Sequence, residues 1–208
     1  MVHGEHFVSR PRRVLWIGLA LVALVGVVAA VIPARPLEVD LRWSEAMRDI
    51  ESRGLHDLAL VFNYLGRGLG RAFSLAAVGL LLVVARRWRA LLAFAVTESL
   101  TPLTVNVLKQ LVDRPRPPGA MIAAAGSSFP SGHAAYAGAT AISLLLLFTR
   151  PGARERRAWA LVAAVLVIGM VWSRTSLQVH WLTDAVSGAI LGVGVALAVF
   201  AAVQMRSR

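Results

Sequence analysis

Cysteine is absent from the chain, which excludes disulfides, thiolate nucleophiles and thiolate metal sites. Lysine is almost absent: of 22 basic residues, 21 are arginine and one, Lys109, is lysine. Acidic residues number only 11, leaving a formal charge of +11. Charge of either sign is scarce, at 16%, against 57% hydrophobic residues. Mean hydropathy is +0.66. A soluble domain of this length buries a good core, but it interrupts its apolar runs more often. The positive excess would suggest nucleic acid if it were spread over a soluble surface. Here it sits in short clusters between charge-free blocks, where membrane topology accounts for it, and no nucleic-acid partner is expected. No repeat, low-complexity tract or linker divides the chain. It reads as one all-α membrane-embedded domain, residues 1–208.

A membrane-crossing helix needs ~20 mostly apolar residues. Val14 to Ala34 meets this without a charge, and its apolar core is longer than a secretory signal's, so it reads as an uncleaved anchor. Five more segments follow: Gly68 to Ala85, Ala90 to Leu108, Ser131 to Thr149, Ala158 to Ser173 and Ala185 to Met205. Gly68 to Ala85 is the weakest, with Arg71 expected to snorkel to the interface. The expectation is a bundle of six transmembrane helices.

Arginine placement sets the orientation. Arg10, Arg12 and Arg13 precede the first segment; Arg86, Arg87 and Arg89 follow the second. Arg150, Arg154, Arg156 and Arg157 follow the fourth, and Arg206 and Arg208 follow the last. Six crossings put all four clusters on the cytoplasmic side, with both termini. The stretch from Arg35 to Asp57 then lies outside, with four arginines against six acidic residues. In it, Trp43, Met47 and Ile50 share a helical face. That helix lies either on the outer leaflet or against the bundle.

The two other outer loops hold the chemistry. "KQLVDRPRP" supplies Lys109, Arg114 and Arg116, and "FPSGH" supplies Ser131, Gly132 and His133. "SRTSLQVHWLTD" supplies Arg174, His180 and Asp184. If the last helix starts near His180, the step of four to Asp184 stacks imidazole and carboxylate one turn apart. The carboxylate would then accept the Nδ1 proton and leave Nε2 free as nucleophile or base. Gly132 permits close backbone approach to a ligand, and a helix start beside it presents N–H groups to an anion. Lys109, Arg116 and Arg174 add cations around the same point, which describes a pocket for a phosphate-like dianion. Other readings compete. His133, His180 and Asp184 are possible zinc ligands, but the cations would repel a divalent metal. Arg114 is either an interfacial charge or a contact to a second phosphate. Glu98 is either functional or a buried partner for another helix. Gly188-x3-Gly192 is a helix-packing motif, within the chain rather than between copies. His3, His6 and His56 are assigned nothing.

Three motifs, Lys109-x6-Arg116-Pro117, Pro130-Ser131-Gly132-His133 and Ser173-Arg174-x5-His180-x3-Asp184, resemble in order and spacing the signature of the type 2 phosphatidic acid phosphatase (PAP2) superfamily. That superfamily includes membrane lipid phosphatases and soluble vanadium haloperoxidases. The resemblance implies a catalytic set in which His180 attacks phosphorus, Asp184 orients it, and His133 serves as acid and then base. Lys109, Arg116, Arg174 and the Ser131–Gly132 backbone would bind the phosphoryl oxygens. No metal or other cofactor is implied. The implied substrate is a lipid phosphate or pyrophosphate, such as an undecaprenyl or decaprenyl carrier, phosphatidic acid or phosphatidylglycerol phosphate. Metal-independent hydrolysis at the outer face of the plasma membrane is the leading expectation. A lipid-phosphate binder or transporter without turnover, and vanadium-dependent oxidation, are the competitors.

Overall fold

The computed structural model describes residues 6–66 and 68–206. His3 and Arg208 lie outside these residues. Eight α-helices make up the regular structure, and the described residues contain no strand. α1 (Pro11–Val31) opens on a proline, whose missing N–H is harmless in a first turn. α2 (Glu38–Asp49) carries Glu38 and Asp40 in its first turn and Arg48 in its last, each complementing the helix dipole. α3 (Arg53–Leu65) starts at Ser52, whose hydroxyl accepts from the Leu55 N–H at 3.4 Å. α4 (Gly68–Val84) continues it after a bend of 53°. α5 (Trp88–Leu111), α6 (Gly132–Phe148), α7 (Glu155–Ser176) and α8 (Leu182–Met205) follow.

α1, α5, α7 and α8 are each long and apolar enough to cross a bilayer, and α3 with α4 makes a fifth if the bent pair counts as one. α6 has 17 residues, a rise of roughly 26 Å against ~30 Å of hydrocarbon. It is capped at Ser131 and stopped by Thr149, Arg150 and Pro151. Each of the six expected segments does contain a helix, but length and composition alone qualify only four crossings, or five with the bent pair, and α6 falls short of that standard. The chain is a multi-pass helical membrane protein. Its outward faces are apolar, with Trp16, Leu24, Leu69, Phe73, Leu161 and Ile168 exposed where lipid would cover them.

α8 is the central helix, packed by α6 on one side and α1 on the other. Gly188 and Gly192 explain how closely α6 approaches. A Cβ at either would penetrate the carbonyl oxygens of Ser131 and Ala135. This motif therefore packs helices within the chain, as the sequence led us to expect.

The bundle has two chemically distinct ends. At one, the Phe7 and Val8 N–H groups donate to Gln204 at 2.7 and 2.9 Å, and Arg156 donates to the Phe7 carbonyl at 3.4 Å. Arg87 donates to the Leu147 carbonyl at 2.8 Å. The arginine clusters thus share that end. The motif loops share the other.

Two details, the exposure of Ile50 and the pairing of Arg71, depart from the sequence reading, and two open alternatives, for α2 and for Glu98, are resolved. Ile50 is 52% exposed, whereas Met47 is buried. α2 turns Asp40 and Ser44 inward beside Met47 and rests on α7 and α8, with Trp43 Nε1 donating to Thr175 at 2.9 Å. Arg71 does not snorkel: it donates to Glu98 at 3.1 Å and lies 3.9 Å over the Tyr136 ring. Glu98 also accepts from Thr140 at 2.8 Å, so it is a buried interhelical partner.

Candidate active site

Four helix ends meet opposite the arginine-rich end. Lys109 lies in the last turn of α5 and Arg174 in the last turn of α7, so both cations are set by helices rather than loops. Beyond α5 the chain is irregular through Arg114-Pro115-Arg116-Pro117, since a residue before proline disfavours the helical region. The loop closes on itself: the Ser128 N–H donates to the Arg114 carbonyl at 2.8 Å. Lys109 Nζ donates to the Ser127 carbonyl at 2.5 Å. Phe129–Pro130 is a cis peptide bond. Ser131 then caps α6, accepting from the Ala134 N–H at 3.4 Å, and its own N–H donates to the Asp184 carbonyl at 3.0 Å. That bond ties the start of α6 to the start of α8.

After α7, Gln178 takes a φ of +52°, unusual for a residue with a side chain. Its amide holds the turn by donating to the Thr175 carbonyl at 3.0 Å and the Ser44 carbonyl at 3.3 Å. The turn delivers His180 to the site, buried at 6% exposure.

His180 Nδ1 lies 2.7 Å from the Ser128 carbonyl oxygen. A carbonyl can only accept, so Nδ1 carries the proton and Nε2 keeps its lone pair. Arg116 Nη1 is 3.3 Å from Nε2. The anticipated bond from Nδ1 to Asp184 is not made; Asp184 Oδ2 stands 4.0 Å away. The reason is local. α8 begins at Leu182, so His180 precedes the helix and the spacing of four does not stack the two side chains. Asp184 Oδ2 instead accepts from the Trp181 N–H at 3.0 Å, and Oδ1 accepts from Arg114. Burial first, then the charges of Arg116, Lys109, Arg174 and His133, hold the His180 pKa well below the ordinary 6.5. The imidazole is therefore neutral at physiological pH.

A cavity of about 190 Å³ opens here, walled by Arg116, His133, Arg174, His180 and Asn63 among others. All three motifs contribute to that wall. Lys109, Ser131, Gly132 and Asp184 are not part of that wall. Arg116 is braced by the carbonyls of Val179 at 2.6 Å and Ala125 at 2.9 Å. Arg174 is braced by Asn63 at 3.0 Å. Both guanidiniums are thus fixed before any ligand arrives. Among the described residues, no group of three His, Cys, Asp or Glu side chains is placed to hold a metal. Both Asp184 oxygens are already engaged by N–H donors.

Sequence reasoning missed Asn63, Ser128 and Asp40. Asn63 is a lone amide in the apolar run "LALVFNYL", which was a usable signal. Ser128 acts through its backbone carbonyl, which leaves no trace in residue identity. Arg114 is neither an interfacial charge nor a cavity residue. It is 1% exposed and bridges Asp40, at 2.7 Å, to Asp184.

Fold and site together define the class: this is a membrane lipid phosphatase fold of the PAP2 type. Residues 88–208 match the PAP2 superfamily, and the chain belongs to it. The transmembrane PAP2-type phosphatidylglycerolphosphate phosphatase of Bacillus subtilis superimposes with a TM-score of 0.73 at 25% identity, over 88% of this chain and 94% of that one. LpxE of Aquifex aeolicus gives a TM-score of 0.63 at 19% identity, over 82% and 96%, a likeness of fold alone. Comparison with curated proteins found no match.

Proposed function

We propose that the protein hydrolyses a phosphate monoester or pyrophosphate on a lipid, without a metal, through a phosphohistidine. The observation that carries this is the shared cavity wall: a neutral, Nδ1-protonated His180, a second imidazole at His133, and the braced guanidiniums of Arg116 and Arg174. His180 Nε2 forms the N–P bond as the bond from phosphorus to the leaving oxygen breaks. His133 gives that oxygen a proton and so becomes a base. It then takes a proton from water, whose oxygen displaces His180 and releases inorganic phosphate. Arg116, Arg174, Lys109 and the Gly132 N–H at the start of α6 hold the charge that develops on the phosphoryl oxygens, whereas the Ser131 N–H already donates to the Asp184 carbonyl. Asp184 stabilises the His180 imidazolium electrostatically.

A cavity of about 190 Å³ is smaller than the ~300–1,000 Å³ of sites that enclose a drug-sized ligand. It suits a headgroup whose tail stays in the leaflet. Isoprenoid pyrophosphate is our first choice of substrate, with phosphatidic acid, phosphatidylglycerol phosphate and diacylglycerol pyrophosphate next. The whole chain acts as one domain in the plasma membrane, making six crossings with a short α6 and the bent α3–α4 pair as one. The arginine-rich end and both termini are cytoplasmic, and the cavity opens on the outer face.

The test is phosphate release by purified protein in detergent across lipid mono- and pyrophosphates. Turnover that disappears in His180→Ala and His133→Ala supports the reading. Binding of those lipids with no phosphate release from any of them would leave a carrier or transporter instead.

A further inference from the structure

Asp40 lies on α2, outside the residues that match the superfamily, and does not line the cavity. It is nonetheless fully buried, as is Asp184, and Arg114 between them is 1% exposed. Arg114 divides its guanidinium: Nη2 donates to Asp40 Oδ2 at 2.7 Å, while Nη1 donates to Asp184 Oδ1 and to Thr183 Oγ1, the latter at 2.8 Å. Asp40 Oδ1 also accepts from the Thr183 N–H and hydroxyl, both at 2.9 Å. Its Oδ2 accepts from the Leu37 N–H at 3.1 Å. α2 is thereby bonded to the first turn of α8.

The charge count decides what this does. Arg114 and Asp184 alone make a neutral pair, and His180, 4.0 Å from Asp184, would face it from within a ring of cations. With Asp40 included, the cluster carries one net negative charge. An imidazolium formed at His180 by transfer of a phosphoryl group then has an uncancelled counter-charge behind it. A purely structural cluster gains nothing from that surplus, because a buried net charge costs free energy and apolar packing serves as well.

We infer that Asp40 is a positioning residue for catalysis: acting through Arg114, it keeps the Asp184 carboxylate aimed and electrically effective behind His180. This rests on the phosphatase reading above. The groups facing His180 are Lys109 from α5, Arg116 and the Ser128 carbonyl from the loop, His133 from α6, Arg174 from α7 and Asp184 from α8. Asp40 is the second carboxylate joined to this set.

The experiment compares wild type, Asp40→Asn and Asp40→Glu in detergent, reading kcat, KM, melting temperature and inhibition by vanadate. Asparagine keeps the shape but removes the charge and turns one of the two accepting oxygens into an N–H2 donor. We expect kcat to fall about tenfold or more with KM within about threefold, while vanadate inhibits as before and the variant, though lowered in melting temperature by its mismatched amide, is fully folded at the assay temperature. Glutamate, which keeps the charge, should recover a substantial part of kcat. If KM and vanadate inhibition deteriorate along with kcat in Asp40→Asn, or if the glutamate and asparagine variants are equally slow, the role is structural and the inference fails. Normal kcat in a folded Asp40→Asn overturns it outright. Should Asp40→Asn not fold, a glutamate variant as slow as Asp184→Asn overturns it, and one near wild type upholds it. Failure of wild type to release phosphate removes the functional reading first, and this inference with it.

Discussion

Replacing Glu98 with glutamine separates a packing role from a chemical one for the carboxylate between the membrane helices. Glu98 accepts from Arg71 at 3.1 Å and from Thr140 at 2.8 Å, with side-chain exposures of 7% for Glu98 and 23% for Arg71. Glutamine retains the acceptor facing Thr140 and loses the ion pair. Breaking a fully buried pair costs about 3–5 kcal/mol, and an exposed pair is worth at most about 1 kcal/mol. Arg71 is partly exposed and keeps its seat over Tyr136, so roughly 2 kcal/mol lies between those limits. For a chain of this length each kcal/mol moves the melting temperature by about 2–4 °C, giving a drop of about 4–8 °C. Tryptophan fluorescence during heating in detergent measures it. Turnover at 25 °C should stay within about twofold, because Glu98 is not on the cavity wall. A tenfold loss of turnover with an unchanged melting temperature would show that Glu98 takes part in the chemistry. A double-mutant cycle with Arg71→Met should return a coupling of about 1–2 kcal/mol, and no measurable coupling would refute the pairing.

Histidine labelled with 15N should show His180 neutral and protonated at Nδ1 at pH 6, since burial and the surrounding cations depress its pKa below 6.5. The sign for folding follows. The unfolded chain binds that proton near pH 6.5 and the folded chain does not, so this group's contribution to stability weakens as pH falls below 6.5. An imidazolium signal from His180 at pH 6.5 would contradict both statements. Chelators should leave turnover intact while vanadate, a phosphate mimic, inhibits; activity lost in EDTA and restored by zinc would replace the phosphohistidine route with a metal-assisted one. A reporter fused to the C-terminus should read out in the cytoplasm, and a signal from the opposite side would invert the topology.

The helical segments were legible because each is a long apolar block with at most one charge, Arg71 and Glu98 being the two exceptions, and the arginine clusters between them do gather at one end of the bundle. The three motifs were legible as residue types at fixed spacing, and the cavity wall draws on all of them. The bend between α3 and α4 was not: the second expected segment begins at Gly68, and the apolar run "LALVFNYL" before it carries no signal of a helix that ends in a bend. The His180–Asp184 geometry was misread through a shift of only two residues in where α8 begins. Asp40 and Arg114 were beyond sequence reasoning for a general reason. Seventy-four positions separate them, and the pairing of two buried charges follows from the packing of α2 on the bundle, which no local pattern encodes.

Gly188 and Gly192 make the contact between α6 and α8 one of main chain against main chain. His133 opens one of these helices and His180 immediately precedes the other. The separation of the two imidazoles, between which the proposed reaction must fit its phosphorus, is therefore set by peptide atoms, with no side chain at those two glycines to rotate, loosen or be traded for another. Any enlargement of those glycines would wedge the two histidines apart, and any tuning of substrate preference has to come from the walls around them.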